Sequence, residues 1–188
     1  MEHVAMNFEI VGLTPIMFHN GQLADPLNVF VKQLQEVTSK QKMTDADHLA
    51  KYELEWEGAL YLDESRRPVI PGENIEAAML EGAKKLRLGP KCKAGVLSDG
   101  DWPLTYKGPK DIDALRADAR FRDVRRVGVN GRSVMRCRPI FFPWSLRFTL
   151  LYLPDVLSPK QVRAILETTG RIVGIGDFTP KYGRFRVA

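Results

Sequence analysis

The sequence predicts an α+β protein of the ferredoxin-like kind: an antiparallel sheet with packed helices and a projecting basic β-hairpin. Three observations carry this prediction. Asn7-Phe8-Glu9-Ile10 alternates polar and apolar residues and reads as a first strand. Residues 145–153, 159–169 and 183–187 read in turn as strand, helix and strand, a split βαβ unit. Asn130-Gly131 joins two β-type runs and is the clearest hairpin signal in the chain, because Asn-Gly favours a type I′ turn.

At 188 residues the chain is long enough to bury a core, and its length favours one domain, 1–188. Within it, residues of about 25–58 read as a helical insertion and residues of about 120–138 as a basic hairpin arm. Lys+Arg 28 against Asp+Glu 23 gives a net charge of +5, so the distribution matters more than the total. From Arg120 to Arg147 there are eight arginines and one acid, Asp123. A second basic cluster holds Lys84, Lys85, Arg87, Lys91 and Lys93, whereas residues 45–57 are mostly acidic.

Taken in order, the first strand ends near Thr14, because Pro15 cannot continue a central ladder. Phe18-His19-Asn20-Gly21 reads as a turn. Asp25-Pro26 predicts a helix start, aspartate as N-cap and proline at the first helical position, with Leu27, Phe30, Val31 and Leu34 at helical spacing. A second helix begins at Thr44, capped with Asp47, carries Leu49, Tyr52 and Trp56, and ends at Gly58. Residues 60–62 and 69–70 flank a polar turn and predict a short hairpin. Pro71-Gly72-Glu73-Asn74 then opens a helix with Ile75, Met79, Ala83 and Leu86 on one side, which Gly89-Pro90 stops.

Residues 91–123 give little pattern beyond a strand at Leu104-Thr105-Tyr106 and a short helix or loop from Asp111 to Arg122. Along the following hairpin, Arg125, Arg132, Arg136 and Arg138 share one parity and Arg126 the other. Cations on both faces predict an arm that projects rather than packs. Residues 145–153 are apolar on both faces toward their end and predict a central strand. Ser158-Pro159-Lys160-Gln161 is a capping box, Val162, Ile165 and Leu166 form the buried stripe, and Gly170 caps the end.

These segments together resemble a known family. Thr14-Pro15-Ile16-Met17, closing the first strand, is similar to the first-strand ending of the RAMP superfamily, the RRM-fold subunits of CRISPR effector complexes. Val69-Ile70-Pro71-Gly72-Glu73-Asn74 resembles the start of their helix after a hairpin. Gly174-Ile175-Gly176 with Tyr182-Gly183-Arg184-Phe185 resembles their C-terminal glycine-rich loop. The chain also looks like small proteins that phages and prophages encode. The resemblance implies an RRM-type core whose sheet, glycine loop and hairpin clamp single-stranded DNA or RNA, as a homo-oligomer or filament along the strand. RAMP-like ribonucleases offer an enzymatic alternative, for which His19 and Asp25 are the positional candidates. A protein docking on a host CRISPR or repair complex is a third reading.

The residues themselves support the binding reading. An arginine-rich hairpin suits an anionic partner, with Arg125, Arg126, Arg132, Arg136 and Arg138 on phosphates and affinity falling with salt. Phe141, Phe142 and Trp144 are candidates to stack bases. Gly174 and Gly176 in a tight turn make an anion nest that Lys181 and Arg184 reinforce.

Several other classes find no support in the residues. Cys92 and Cys137 have neither disulfide nor zinc spacing, no metal site or cofactor motif is visible, and Gly174-Ile175-Gly176 does not continue into a dinucleotide or Walker pattern. No signal peptide or apolar run of membrane-spanning length is read, so a reducing, cytoplasmic compartment and no membrane partner are expected.

Overall fold

The structure, a computed structural model, describes residues 2–129 and 131–188. In chain order its elements are β1 (Val4–Gly12), β2 (Ile16–Met17), α1 (Val29–Thr38), α2 (Asp45–Gly58), β3 (Val69–Pro71), α3 (Gly72–Lys85), α4 (Gly89–Gly95), β4 (Val96–Leu97), β5 (Asp101–Tyr106), α5 (Ile112–Ala117), β6 (Arg122–Val129), β7 (Arg132–Phe141), β8 (Trp144–Tyr152), α6 (Pro159–Thr168) and β9 (Phe185–Val187). They form two compact units. One takes Met1–Ile16, Leu62–Lys107 and Phe142–Ala188, the other Met17–Tyr61 and Gly108–Phe141.

The first unit holds a sheet in the order β3-β5-β8-β1-β9, with β4 also paired to β8. β1 runs antiparallel to β8, with Phe8 opposite Phe148 and Ile10 opposite Leu146. β9 lies antiparallel on the other edge of β1, and β5 lies antiparallel to β8. With α3 between β1 and β5, and α6 between β8 and β9, this is the β-α-β-β-α-β pattern of a ferredoxin-like fold. β8 is central, as its apolar run predicts. Period-two alternation puts Phe8, Ile10, Leu104, Tyr106, Trp144, Leu146, Phe148 and Leu150 on one buried face. Buried residues of α3 (Ile75, Met79, Ala83) and of α6 (Val162, Ile165, Leu166) complete that core. The opposite face carries Asn7, Glu9, Arg147 and Thr149; Glu9 pairs with Arg147 at 3.0 Å and Asn7 accepts from Thr149 at 2.8 Å.

The second unit joins the helical pair and the basic hairpin, which the sequence suggests as an insertion and an arm, into one body. Its sheet has the order β2-β7-β6. Trp56 of α2 is fully buried and its indole N–H donates to the Phe121 carbonyl at 2.7 Å. The Phe141 ring lies 5.4 Å from Phe18 and 5.5 Å from Phe121, centroid to centroid. α1 rests along α2 and buries none of its residues fully.

Several local expectations are corrected. α1 begins at Val29, because Asn28 rather than Asp25 caps it by accepting from the Phe30 N–H at 2.9 Å. Asp25 instead accepts from the Leu27 N–H at 2.9 Å and folds a turn before the helix. Of the apolar stripe expected on α2, Trp56 is buried but Leu49 is 58% exposed. Gly89-Pro90 does not merely stop α3 but opens α4, since proline suits a first helical turn. Residues 60–70 make a single bridge, Leu62 to Pro68, instead of a ladder. α6 runs on through a π turn at Thr169–Val173 and ends at Gly174, four residues after the expected cap. Gly170 has a different use: a Cβ there would stand 2.4 Å from the Phe185 carbonyl oxygen. Among the described residues, no helix is long and apolar enough to cross a membrane.

Candidate nucleic-acid interface

The basic hairpin has two halves with different physics. β6 and β7 pair antiparallel from Arg122 opposite Pro139 to Val129 opposite Arg132, so a two-residue connection joins them. Its Asn130, on which the type I′ expectation falls, lies outside the described residues. The half nearest the core is packed: Cys137 is 1% exposed and Phe141 fully buried. The distal half is open, with Arg126, Gly128, Arg132 and Ser133 all exposed. The hairpin therefore projects only in part.

One buried carboxylate holds the packed half. Glu55 of α2 is 3% exposed. Its carboxylate accepts from the Cys137 backbone N–H at 2.9 Å and pairs with Arg136, while Lys51 approaches at 3.5 Å. The Lys51 ammonium also donates to the Met135 carbonyl at 2.7 Å. An acid buried without such partners would be costly, so the triad of contacts is what lets Glu55 sit there. Sequence reasoning missed Glu55. The available signal was its position three residues after Tyr52 and one before Trp56, on the face of α2 that turns inward.

These contacts sort the predicted arginines. Arg136 is committed to Glu55, and Arg125 to Asp123, with one guanidinium N–H bond of 2.6 Å. Arg138 is half-buried. Arg126 and Arg132 stay exposed, and neither side chain forms an ion pair or hydrogen bond with another described residue. They fall on opposite faces, since Arg126 lies opposite Met135 and Arg132 opposite Val129.

The aromatic expectation is mostly overturned. Phe141 is fully buried and Trp144 is 2% exposed, its indole N–H donating to the Thr14 carbonyl at 2.8 Å, so neither ring can receive a base. Phe142 is 56% exposed and remains available. The aromatic side chains of β1, β5 and β8 (Phe8, Trp102, Tyr106, Trp144, Phe148, Tyr152) share the core-facing parity. Trp102 is half-buried and lines a cavity together with Asn7, Glu9, Arg147 and Thr149.

In the glycine loop of the first unit, the Gly174 N–H of the expected anion nest is turned to the protein itself. The Gly174 N–H donates to Thr169 at 2.8 Å, Ile175 to Gly183 at 3.0 Å and Gly183 to Pro15 at 2.8 Å. The Arg184 N–H donates to the Thr14 hydroxyl at 2.9 Å. Backbone donors so occupied cannot also cradle a phosphate. Gly183 is required for packing, with φ +73° and the Ile175 carbonyl oxygen 1.8 Å from where a Cβ would lie. Gly176 is exposed, and so is Lys181, whose ammonium lies 5.7 Å from the centre of the Tyr182 ring. Arg184 is half-buried and donates from Nε to the Pro180 carbonyl at 2.7 Å.

His19 and Asp25 are both exposed. The His19 carbonyl accepts from the Tyr61 hydroxyl at 3.3 Å, and the Asp25 carboxylate accepts from Leu27. Among the described residues, no group of three or more His, Cys, Asp or Glu side chains is placed to hold a metal ion. Both cysteines are buried. Burial pushes the Cys92 thiol up to about 11, and the nearby Glu76 carboxylate adds to the rise. Burial also raises the Cys137 thiol, against a partial lowering from Arg122.

No family model matches this chain, and no match is found among curated proteins. Among solved structures, the crystal structure of Cmr6 from Pyrococcus furiosus is similar over 100% of both chains, with a TM-score of 0.48 and 11% sequence identity. The ferredoxin-like assignment rests on the strand order of the chain itself.

Proposed function

We propose that this chain is a non-enzymatic nucleic-acid-binding protein that grips the phosphates of single-stranded DNA or RNA with the distal half of its basic hairpin. The observation that carries this reading is the pair Arg126 and Arg132. Both are exposed cations at the open end of a hairpin whose base is locked by Glu55, and they point to opposite faces. A rigid stem presenting guanidinium groups suits phosphate oxygens, which accept two N–H bonds from one arginine. Arg125, Arg136 and Arg138 then serve mainly to build the stem.

Binding of this kind reads little sequence. Phosphate contacts carry no base information. Phe142 is the one exposed aromatic among the three stacking candidates. No catalytic step is assigned to His19 or Asp25; the Asp25 carboxylate is turned to the Leu27 N–H and folds a turn. The single-strand preference follows the family resemblance, and duplex DNA is the control that tests it.

Fluorescence anisotropy with labelled single-stranded oligonucleotides, titrated at several salt concentrations, tests the reading. Wild-type protein should bind, with log K falling linearly with log salt. Arg126→Gln/Arg132→Gln should flatten that slope by about 1–2 units, roughly one lost phosphate contact per arginine. Binding that ignores salt, or a double variant with the wild-type slope, would remove the hairpin from the function.

A further inference from the structure

The corner between α3 and α4 carries charge that the hairpin reading does not use. From residue 82 to residue 98 there are five cations, Lys84, Lys85, Arg87, Lys91 and Lys93, and no acid. All five are exposed. Lys84 pairs with Glu81, whereas the side chains of Lys85, Arg87, Lys91 and Lys93 form no hydrogen bond or ion pair with another described residue.

The backbone at this corner is well defined. The Leu88 N–H donates to the Ala83 carbonyl at 2.9 Å and the Arg87 N–H to the Lys84 carbonyl at 3.1 Å. Those two bonds are the pair that defines a Schellman C-cap, with Arg87 at the left-handed position. Arg87 has φ +60°, where glycine is the relaxed choice and any side chain is disfavoured. The chain has two other described non-glycine residues at positive φ, Arg66 and Phe178. Both of those make interactions within the protein. At Arg87 the unfavourable backbone is kept by a side chain that forms no hydrogen bond or ion pair with another described residue, which suits a partner outside the chain.

We infer that the α3–α4 corner is a second phosphate-binding patch, separate in sequence from the hairpin, with Arg87 as its fixed centre and Lys85, Lys91 and Lys93 around it. Its geometry stands alone, but the choice of nucleic acid as ligand rests on the proposed function. The chemistry favours a phosphate chain over an acidic protein. Four of the five cations are lysines, which protein interfaces deplete. Leu86, 39% exposed, is the apolar side chain between Lys85 and Arg87. Ammonium groups acting as point charges along a backbone suit phosphates spaced along a strand.

Two variants test the patch. Lys85→Gln/Arg87→Gly/Lys91→Gln/Lys93→Gln should lower the salt slope for a labelled single strand by about 3 units and raise Kd at least about tenfold at low salt. Arg87→Gly alone should raise Kd while its melting temperature stays level or rises, since glycine relieves the backbone. A fall in melting temperature would mean that the arginine is kept for the fold, and would overturn the inference. So would a quadruple variant with the wild-type slope; if the hairpin variant then still loses slope, the proposed function stands without this patch. The reverse result, loss in the patch variant but none in the hairpin variant, supports the patch and removes the hairpin. Absence of oligonucleotide binding by the wild type overturns both, and patch-dependent binding of labelled polyglutamate in its place would assign the corner to an acidic protein.

Discussion

At the scale of single residues, burial decides which side chains have chemistry left to offer. Cys92 is 3% exposed and its thiol is pushed up to about 11 from an ordinary 9.0, chiefly by loss of water. A neutral thiol is thus what the folded state holds. The unfolded chain releases the Cys92 proton near its ordinary value, whereas the folded chain keeps it until about 11. The folded state therefore binds more protons in that window, and stability must fall as pH rises through it. Urea midpoints measured from pH 8 to about pH 11 should decline more steeply for wild type than for Cys92→Ala. Equal declines would show that other groups carry the alkaline loss. The same burial keeps Cys92 from reacting as a thiolate at neutral pH, which removes it from any nucleophilic role.

At the scale of elements, the sequence was legible wherever one local interaction decided the outcome. The Thr44/Asp47 and Ser158/Gln161 capping boxes are both present, because each needs only a hydroxyl and a side-chain acceptor three residues apart. The start of α1 was not legible in this way. Asp25-Pro26 and Asn28 both carry cap chemistry, and only the path of the chain selects Asn28. Asn28→Ala should therefore cost about 1 kcal/mol of stability in urea denaturation, and Asp25→Ala much less. The opposite ranking would place the working cap at Asp25. Where several distant segments meet, periodicity gave still less. Trp144 and Phe141 flank an exposed Phe142 in sequence, yet their rings are buried because Trp144 reaches Thr14 and Phe141 reaches Phe18 and Phe121. The same limit explains the glycine loop. Its turns were visible as Gly174 and Gly183, but their N–H groups are taken by carbonyls such as that of Pro15, far away in sequence.

At the scale of the whole molecule, the chain twice leaves the ferredoxin-like unit, for residues 17–61 and for residues 108–141, and each time returns. Each unit has its own buried centre: Met79 among α3, α6 and the sheet in one, Glu55 and Trp56 beneath β7 in the other. A change at either centre should loosen its own unit first. Met79→Ala removes a fully buried side chain and should cost about 2–5 kcal/mol, with faster amide exchange in β1, β8 and α6. Glu55→Ala leaves the Cys137 N–H and Arg136 without their acceptor and should cost about 2–4 kcal/mol, with faster exchange in α2 and the proximal half of β7. Hydrogen exchange read by mass spectrometry resolves the two patterns. If both variants accelerate exchange over the same set of segments, the two centres belong to one cooperative body. If the patterns separate, the hairpin's stem is maintained by Glu55 locally, and Glu55→Ala should weaken nucleic-acid binding through Arg126 and Arg132 while leaving exchange in β1 and β8 unchanged.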